Sequence, residues 1–378
     1  MMRSFSLARF WAVLVKEFVQ MRRDRLTFAM MIGVPIIQLI LFGFAINSDP
    51  RALPTAVLAA DNSIYARTLI RAIENSGYFR VVRQVTSESE AERALARGAV
   101  QFTVTIPENF ARKLERGERP VLLVEADASD PAATSNALAA LLALNQTALT
   151  RDLQGVLGSL QYQAPPFELR VQRRYNPEGI TQYNVVPGLI GVVLTMTMVM
   201  MTSLAVTREY ERGTMENLLA TPLRPIEVMV GKIVPYIIVG YVQVSVILMA
   251  AKLLFEVPML GSLALLSLLV IVFIAANLAI GYTFSTLAKT QMQAMQMTFF
   301  FFLPSMLLSG FMFPFRGMPQ WAQWLGEVFP LTHFLRVVRG ILLKGNGMAE
   351  IYPSVWPIAL FMLLAGAVAL YRYRETLD

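Results

Sequence analysis

The stretch Arg208-Glu209-Tyr210-Glu211-Arg212-Gly213-Thr214-Met215-Glu216-Asn217-Leu218-Leu219-Ala220-Thr221-Pro222 sets charges and apolar anchors side by side between two long apolar runs. Its chemistry is that of docking, not catalysis. Gly213 breaks a helix arriving from upstream, and Thr214 can cap a new one. Glu216 falls in the first turn, where the helix dipole favours an acid. Pro222 stops that helix within about two turns, and Pro225 opens another running through Lys232. The outcome is a stiff knuckle that shows Met215, Leu218 and Leu219 beside Glu209, Glu211, Arg212 and Glu216. A rigid, exposed Leu-Leu pair fits a partner's surface. The plainer alternative is a polar loop with stray helicity.

Other chemistries find few residues to work with. The chain has no cysteine and one histidine, His333, so a thiol nucleophile, a cysteine or histidine metal site and a histidine-dependent triad all lack their parts. The phosphate-binding pattern Gly-x-x-x-x-Gly-Lys-[Ser/Thr] occurs nowhere, and no nucleophile–base constellation stands out. The expectation is a chain that is not an enzyme and binds no cofactor or metal.

The elements that must carry the knuckle are membrane elements. Hydrophobic residues make up 55% of the 378 residues and charged residues only 16%, far from a soluble composition. Much of the excess of Lys and Arg behind the net charge of +7 flanks apolar runs. There it marks the cytoplasmic side of a bilayer and not affinity for nucleic acid.

In chain order, residues 1–25 place Phe5, Leu7, Phe10, Trp11, Leu14, Val15, Phe18 and Val19 at helical spacing among Arg3, Arg9 and Lys16. This is an amphipathic helix lying in the membrane interface. Residues 26–46 form the first expected span. Gly43-Phe44-Ala45 resembles a signal-peptidase site, but the basic region before it is long and the apolar run exceeds a signal peptide's. An uncleaved helix is expected.

Residues 47–184 change character. Strand-like and helix-like runs alternate, which implies a compact α/β domain. The pattern predicts strands at 54–60, 78–85, 100–106, 120–126 and 167–173. Helices fall at 63–76, 89–97, 107–116 and 132–160, with Pro107 and Pro131 in first turns and Asn62, Ser87 and Asp130 as caps.

From residue 185 the chain returns to the membrane. Spans are expected at 185–206, 235–254, 263–287, 292–313 and 354–371, with two short amphipathic pieces between the last two, divided by Pro314, Pro319 and Pro330. The fold class is therefore an α-helical polytopic membrane protein with six transmembrane helices and an α/β domain inserted after the first. Six crossings with both termini cytoplasmic put residues 47–184 outside and 208–232 inside. Within the spans, Gln38, Gln243, Asn277, Gln293 and Gln296 could line a translocation path or simply hydrogen-bond between helices. No strong acid lies deep in a span, which weighs against proton coupling.

Several motifs in order resemble one family. Glu211-Arg212-Gly213-Thr214-Met215-Glu216-Asn217-Leu218-Leu219-Ala220-Thr221-Pro222-Leu223 is similar to the ATPase-contacting segment in permeases of bacterial ABC type-2 exporters. Leu303-Pro304-Ser305-Met306-Leu307-Leu308-Ser309-Gly310-Phe311-Met312-Phe313-Pro314, Pro330-Leu331-Thr332-His333-Phe334 and Arg339-Gly340-Ile341-Leu342-Leu343-Lys344-Gly345 resemble that family too. The likeness covers essentially the whole chain and is nearest to the subfamily with a large extracytoplasmic domain.

The resemblance implies an elbow helix at 1–25, a coupling helix at 214–220 within the loop 208–232, and a re-entrant hairpin at 314–345 on the outer side. The coupling contacts would fall on Glu209, Glu211, Arg212, Gly213, Thr214, Glu216, Leu218, Leu219, Thr221 and Pro222. The hairpin would carry Pro314, Glu327, Pro330 and Arg339. Its arginines, Arg316, Arg336 and Arg339, would pair internally, with Glu327 as one partner, or meet lipid headgroups.

Function would be export from the cytoplasm or inner leaflet across a bacterial inner membrane, with a hydrophobic small molecule or drug as default cargo. An ABC ATPase subunit holding ATP and Mg would drive it. A second permease copy or a paralogue would complete a homo- or heterodimer, and a periplasmic adaptor and membrane lipid are further partners. The alternative is a membrane-anchored receptor or scaffold whose external domain binds a ligand or partner without transport. An ion-coupled transporter, working without an ATPase, is a third reading.

Overall fold

The computed structural model describes residues 50–153, 165–211 and 225–375. The α/β domain comes first. Its elements are β1 (Leu53–Ala59), α1 (Ile64–Asn75), β2 (Phe79–Gln84), α2 (Glu88–Ala96) and β3 (Phe102–Ile106). They continue with α3 (Phe110–Glu115), β4 (Val121–Asp127), α4 (Pro131–Thr147) and β5 (Glu168–Arg174). The sheet runs β2-β1-β3-β4-β5. Pairing is parallel for β1 with β2, β1 with β3 and β4 with β5, and antiparallel for β3 with β4.

Local rules explain most boundaries. Ser63 caps α1 by accepting from the Ala66 N–H at 3.3 Å. Ser87 caps α2 through the Glu90 N–H, and Glu90 reaches back to the Thr86 N–H at 3.2 Å, a variant of the capping box in which the acid accepts from the residue before the cap. Pro131 begins α4, where its missing N–H costs nothing. Leu53, Val57, Val104, Ile106 and Val124 fill the core, and the Phe79 and Phe102 rings meet edge to face at 4.9 Å.

Three local expectations need correction. Ser63, not Asn62, is the cap of α1. Helix α3 starts at Phe110, not Pro107, because Asn109 adopts a left-handed φ of 58° and the carboxylate of Asp61 accepts the Ala111 N–H at 2.9 Å. Helix α4 stops at Thr147, well short of Leu160. Beyond it, the Thr150 hydroxyl donates to the Thr147 carbonyl at 2.9 Å, and turns bring Leu149 and Leu153 into the domain core. Such side-chain bonds compete with a continuing helix.

The helical region comprises α5 (Thr181–Glu211), α6 (Pro225–Leu253), α7 (Leu263–Leu287), α8 (Gln291–Leu308), a 3-10 turn (Phe315–Gly317), α9 (Gln320–Val328), α10 (Pro330–Lys344) and α11 (Met348–Glu375). Four segments, Thr181–Glu209, Pro235–Leu253, Leu263–Leu287 and Met348–Ala369, are long and apolar enough to cross a bilayer. Helix α8 forms where a fifth span was expected. It carries three glutamines, ends before Gly310 at φ 83°, and is not among those four. The expected elbow helix at 1–25 and first span at 26–46 lie outside the described residues.

Helix α7 is the hub of the bundle. Its Phe273 stacks on Phe334 of α10 at 4.0 Å and 10°. Its Gly281 meets α5 so closely that an added Cβ would lie 2.7 Å from the Val199 carbonyl, the small-residue contact typical of membrane helices. Helix α10 is too short to span yet is buried along most of its length. Helix α6 instead exposes Ile238, Val242, Val246 and Met249, a face suited to hydrocarbon.

Candidate functional site

Two joints lie at opposite ends of α5. At its last turn the Gln291 backbone N–H donates to Glu211 Oε1 at 2.8 Å, and the Gln291 side-chain amide donates to Glu211 Oε2 at 2.5 Å. Arg208 Nε donates to Gln291 Oε1 at 3.4 Å. An acid at the N-terminus of α8 suits the orphan N–H groups and positive dipole end there. Glu209 is half-buried nearby. Arg212, Gly213, Thr214, Glu216, Leu218, Leu219, Thr221 and Pro222, like Gln38, lie outside the described residues.

Between the joints, polar side chains mostly tie helices together. Thr197 of α5 donates to Gln243 of α6 at 2.9 Å, and Ser203 meets Thr298 of α8 at 3.2 Å. Gln293 is buried and accepts from the Lys289 N–H at 2.9 Å, so it caps α8 together with Thr290. Asn277 is fully buried; its amide donates to the Phe273 carbonyl at 2.8 Å, while its Oδ1 has no partner. Gln296 is half-buried on α8. These residues do not converge on one described cavity.

The second joint is where the α/β domain meets α5 and α10. Pro314 precedes the 3-10 turn and Pro330 opens α10. Glu327 receives both terminal nitrogens of Arg336, at 3.0 and 2.6 Å, and the Arg336 guanidinium lies 4.7 Å from the centre of the Phe315 ring. Arg339 does something else. Its Nε donates to the Asn184 carbonyl at 3.4 Å and its Nη1 to the Gly310 carbonyl at 3.2 Å, so it ties α10 to the start of α5 and the end of α8.

Across the joint Asn184 Nδ2 donates to Asp130 Oδ1 at 3.3 Å. Burial raises the Asp130 pKa, which the nearby Arg339 guanidinium opposes. Lys344 donates to Asp127, both side chains being 9% exposed, and its ammonium sits 5.0 Å from the centre of the Tyr175 ring. Asp127 is fully engaged, because its other oxygen accepts from Ser129 Oγ at 2.7 Å. Asn346 Nδ2 donates to the Ala96 carbonyl at 2.9 Å. A cavity of about 390 Å³ lies in this joint.

Sequence reasoning listed Glu327 and Arg339 here but missed Asp127, Lys344, Asn184 and Asn346. A signal existed, since Asp127-Ala128-Ser129-Asp130 places acids at the end of a core strand. An acid there needs a partner when the neighbouring surface is covered.

Comparison with known proteins finds relatives along nearly the whole chain. The family described as ABC-2 family transporter protein matches residues 25–371. The "Probable multidrug ABC transporter permease YbhR" of Escherichia coli strain K12 is 29% identical over 97% of this chain and 98% of its own. The "Probable multidrug ABC transporter permease YbhS" of the same strain is 28% identical over 96% of this chain and 94% of its own. The "Inner membrane transport permease YhhJ" of that strain is 28% identical over 86% of each chain. With a family match spanning nearly its full length and apolar helices that cross a bilayer several times, this chain is a multi-pass membrane protein that belongs to the ABC-2 transporter family and serves as a permease of an ABC system.

Proposed function

We propose that the chain is the permease subunit of an ATP-driven exporter in a bacterial inner membrane, with both termini cytoplasmic and the α/β domain periplasmic. ATP and Mg bind in a separate ABC ATPase, which docks on the knuckle at 208–232. The observation that carries this reading is the continuity of α5. Its 31 residues run from the joint with the α/β domain to Glu211, the doorstep of the knuckle, a distance of about 46 Å. A continuous helix tied at one end to Gln291 and at the other to Arg339 can convert ATPase closure into movement of the hairpin and the external domain.

Six spans, counting 26–46 and α8, complete this topology. A second copy or a paralogue forms the other half of the path, and an adaptor meets the external domain. Gln38, Asn277, Gln293 and Gln296 remain the candidates for the path. The names of the YbhR and YbhS relatives support a drug-like cargo for this chain, with a hydrophobic small molecule as the default.

The test is co-purification. Tagged protein from its native membrane carries an ABC ATPase identifiable by mass spectrometry. Leu218→Asp with Leu219→Asp inserts at normal levels yet loses both the ATPase and drug efflux. Undiminished ATPase recovery with the double variant would overturn the assignment.

A further inference from the structure

Helix α9 is amphipathic in an unusual place. Its Ala322 and Gly326 are buried, and Gly326 packs so tightly on the end of α8 that a Cβ would lie 2.6 Å from the Leu308 carbonyl. The outer face carries Trp321, Trp324, Leu325 and Val328, exposed to 37%, 68%, 50% and 62%. A short helix at the end of a membrane bundle that turns two tryptophans outward lies at headgroup depth, where indole rings partition best.

Gln320 and Gln323 of the same helix help to line a crevice of about 640 Å³ that opens between the α/β domain and the turn leading into α9. Arg51 and Arg80 come from the domain, Arg316 from the turn, and no carboxylate joins the lining. Arg80 and Arg316 have no carboxylate within 4.0 Å among the described residues, and Arg316 makes only a long 3.5 Å bond to the Gly98 carbonyl. Burial, with Arg336 and Arg80 as neighbouring like charges, lowers the Arg316 pKa, which Glu327 only partly offsets. Like charges gathered in a lining that holds no carboxylate, at a depth fixed by tryptophans, call for an anion found at that depth. Guanidinium groups grip phosphate oxygens through paired N–H donors.

We propose that this crevice seats the phosphate of an anionic bilayer lipid and so clamps the α/β domain to the membrane surface. The occupant is a lipid and not a dissolved anion, because α9, which lines the crevice through Gln320 and Gln323, turns Trp321 and Trp324 outward at headgroup depth. The inference needs the bundle to be in a bilayer but is independent of cargo and of export.

The test uses the full-length chain carrying Trp11→Phe and Trp356→Phe, so that emission comes from Trp321 and Trp324 alone. It is reconstituted in phosphatidylcholine vesicles with the same mole fraction of brominated phosphatidylglycerol or brominated phosphatidylcholine. Brominated phosphatidylglycerol quenches more strongly. Each arginine removed lowers the preference about fivefold, and Arg80→Gln with Arg316→Gln abolishes it. Arg80→Gln alone, at an exposed strand position, lowers it without disturbing the bundle. Equal quenching by the two lipids would overturn the proposal. So would a preference that survives in both variants, or one that inorganic phosphate erases at constant ionic strength, which would mark a soluble anion.

Discussion

Glu211 and Gln291 grip each other twice, through the backbone N–H at 2.8 Å and the side-chain amide at 2.5 Å, where α5 ends and α8 begins. The carboxylate of Glu211 is thus engaged within its own chain, which separates it from the apolar contacts expected of Leu218 and Leu219. Glu211→Ala leaves the ATPase bound but loosens the joint that receives its movement. Bonds to a charged group are worth about 1.5–3 kcal/mol when buried, and this exposed pair is worth less. Transport per ATP hydrolysed falls by about fivefold, while ATPase recovery in pull-downs stays at the level of the parent protein. Loss of ATPase binding in Glu211→Ala would make Glu211 a contact residue instead.

Lys344 and Asp127 form the tightest link between the α/β domain and α10, with both side chains 9% exposed. Removing one partner strands a buried charge. Lys344→Met or Asp127→Asn therefore destabilises the protein by about 3–5 kcal/mol. Lys344→Met combined with Asp127→Leu recovers much of that loss, because an apolar pair needs no compensation. Thermal unfolding of the purified protein in detergent checks both statements through a double-mutant cycle.

Legibility from the sequence tracked how local each cause is. Helix α7 falls on its expected bounds because Ser262 caps it and no charged residue or proline interrupts it up to Ala288, which leaves the helix in an extended conformation. Ser87 and Pro131 were likewise readable, since a cap and a first-turn proline act within one turn. The start of α3 was not, because its N–H partner is Asp61, fifty residues away in sequence. The end of α4 depends on Leu149 and Leu153 turning into a core that only the folded sheet provides. For the hairpin arginines, pairing with Glu327 holds for Arg336 but not for Arg339, whose acceptors are the carbonyls of Asn184 and Gly310. Charge patterning can nominate a carboxylate partner. It cannot foresee backbone carbonyls that the fold brings together from two distant stretches of the chain.

Gly281 and Gly366 make a matched test of packing. A Cβ at Gly281 meets the Val199 carbonyl at 2.7 Å, whereas one at Gly366 on α11 meets nothing within 4 Å. Gly281→Ala pushes α7 away from α5 and costs about 1–3 kcal/mol. Gly366→Ala removes the flexibility of a helical glycine at no steric cost and stabilises by about 0.5–1 kcal/mol. Opposite shifts in melting temperature for the two variants verify the close contact between α5 and α7.

Tyr175 offers a pH probe of the joint between domain and bundle. Burial pushes its phenol up to about 12, and the negative charge of Asp127 adds to the shift against the opposing Arg174. An unfolded tyrosine ionises near about 10, so the folded state holds the proton more tightly between these values. Its contribution to stability is fully present below the unfolded pKa and is lost as pH rises through the folded one. Absorbance of tyrosinate reports the group directly, because a late component near about 12 vanishes in Tyr175→Phe. Loss of the Lys344–Asp127 pair opens the same joint to water. In Asp127→Asn, which also removes the negative charge that adds to the shift, the late component therefore moves back towards the ordinary range.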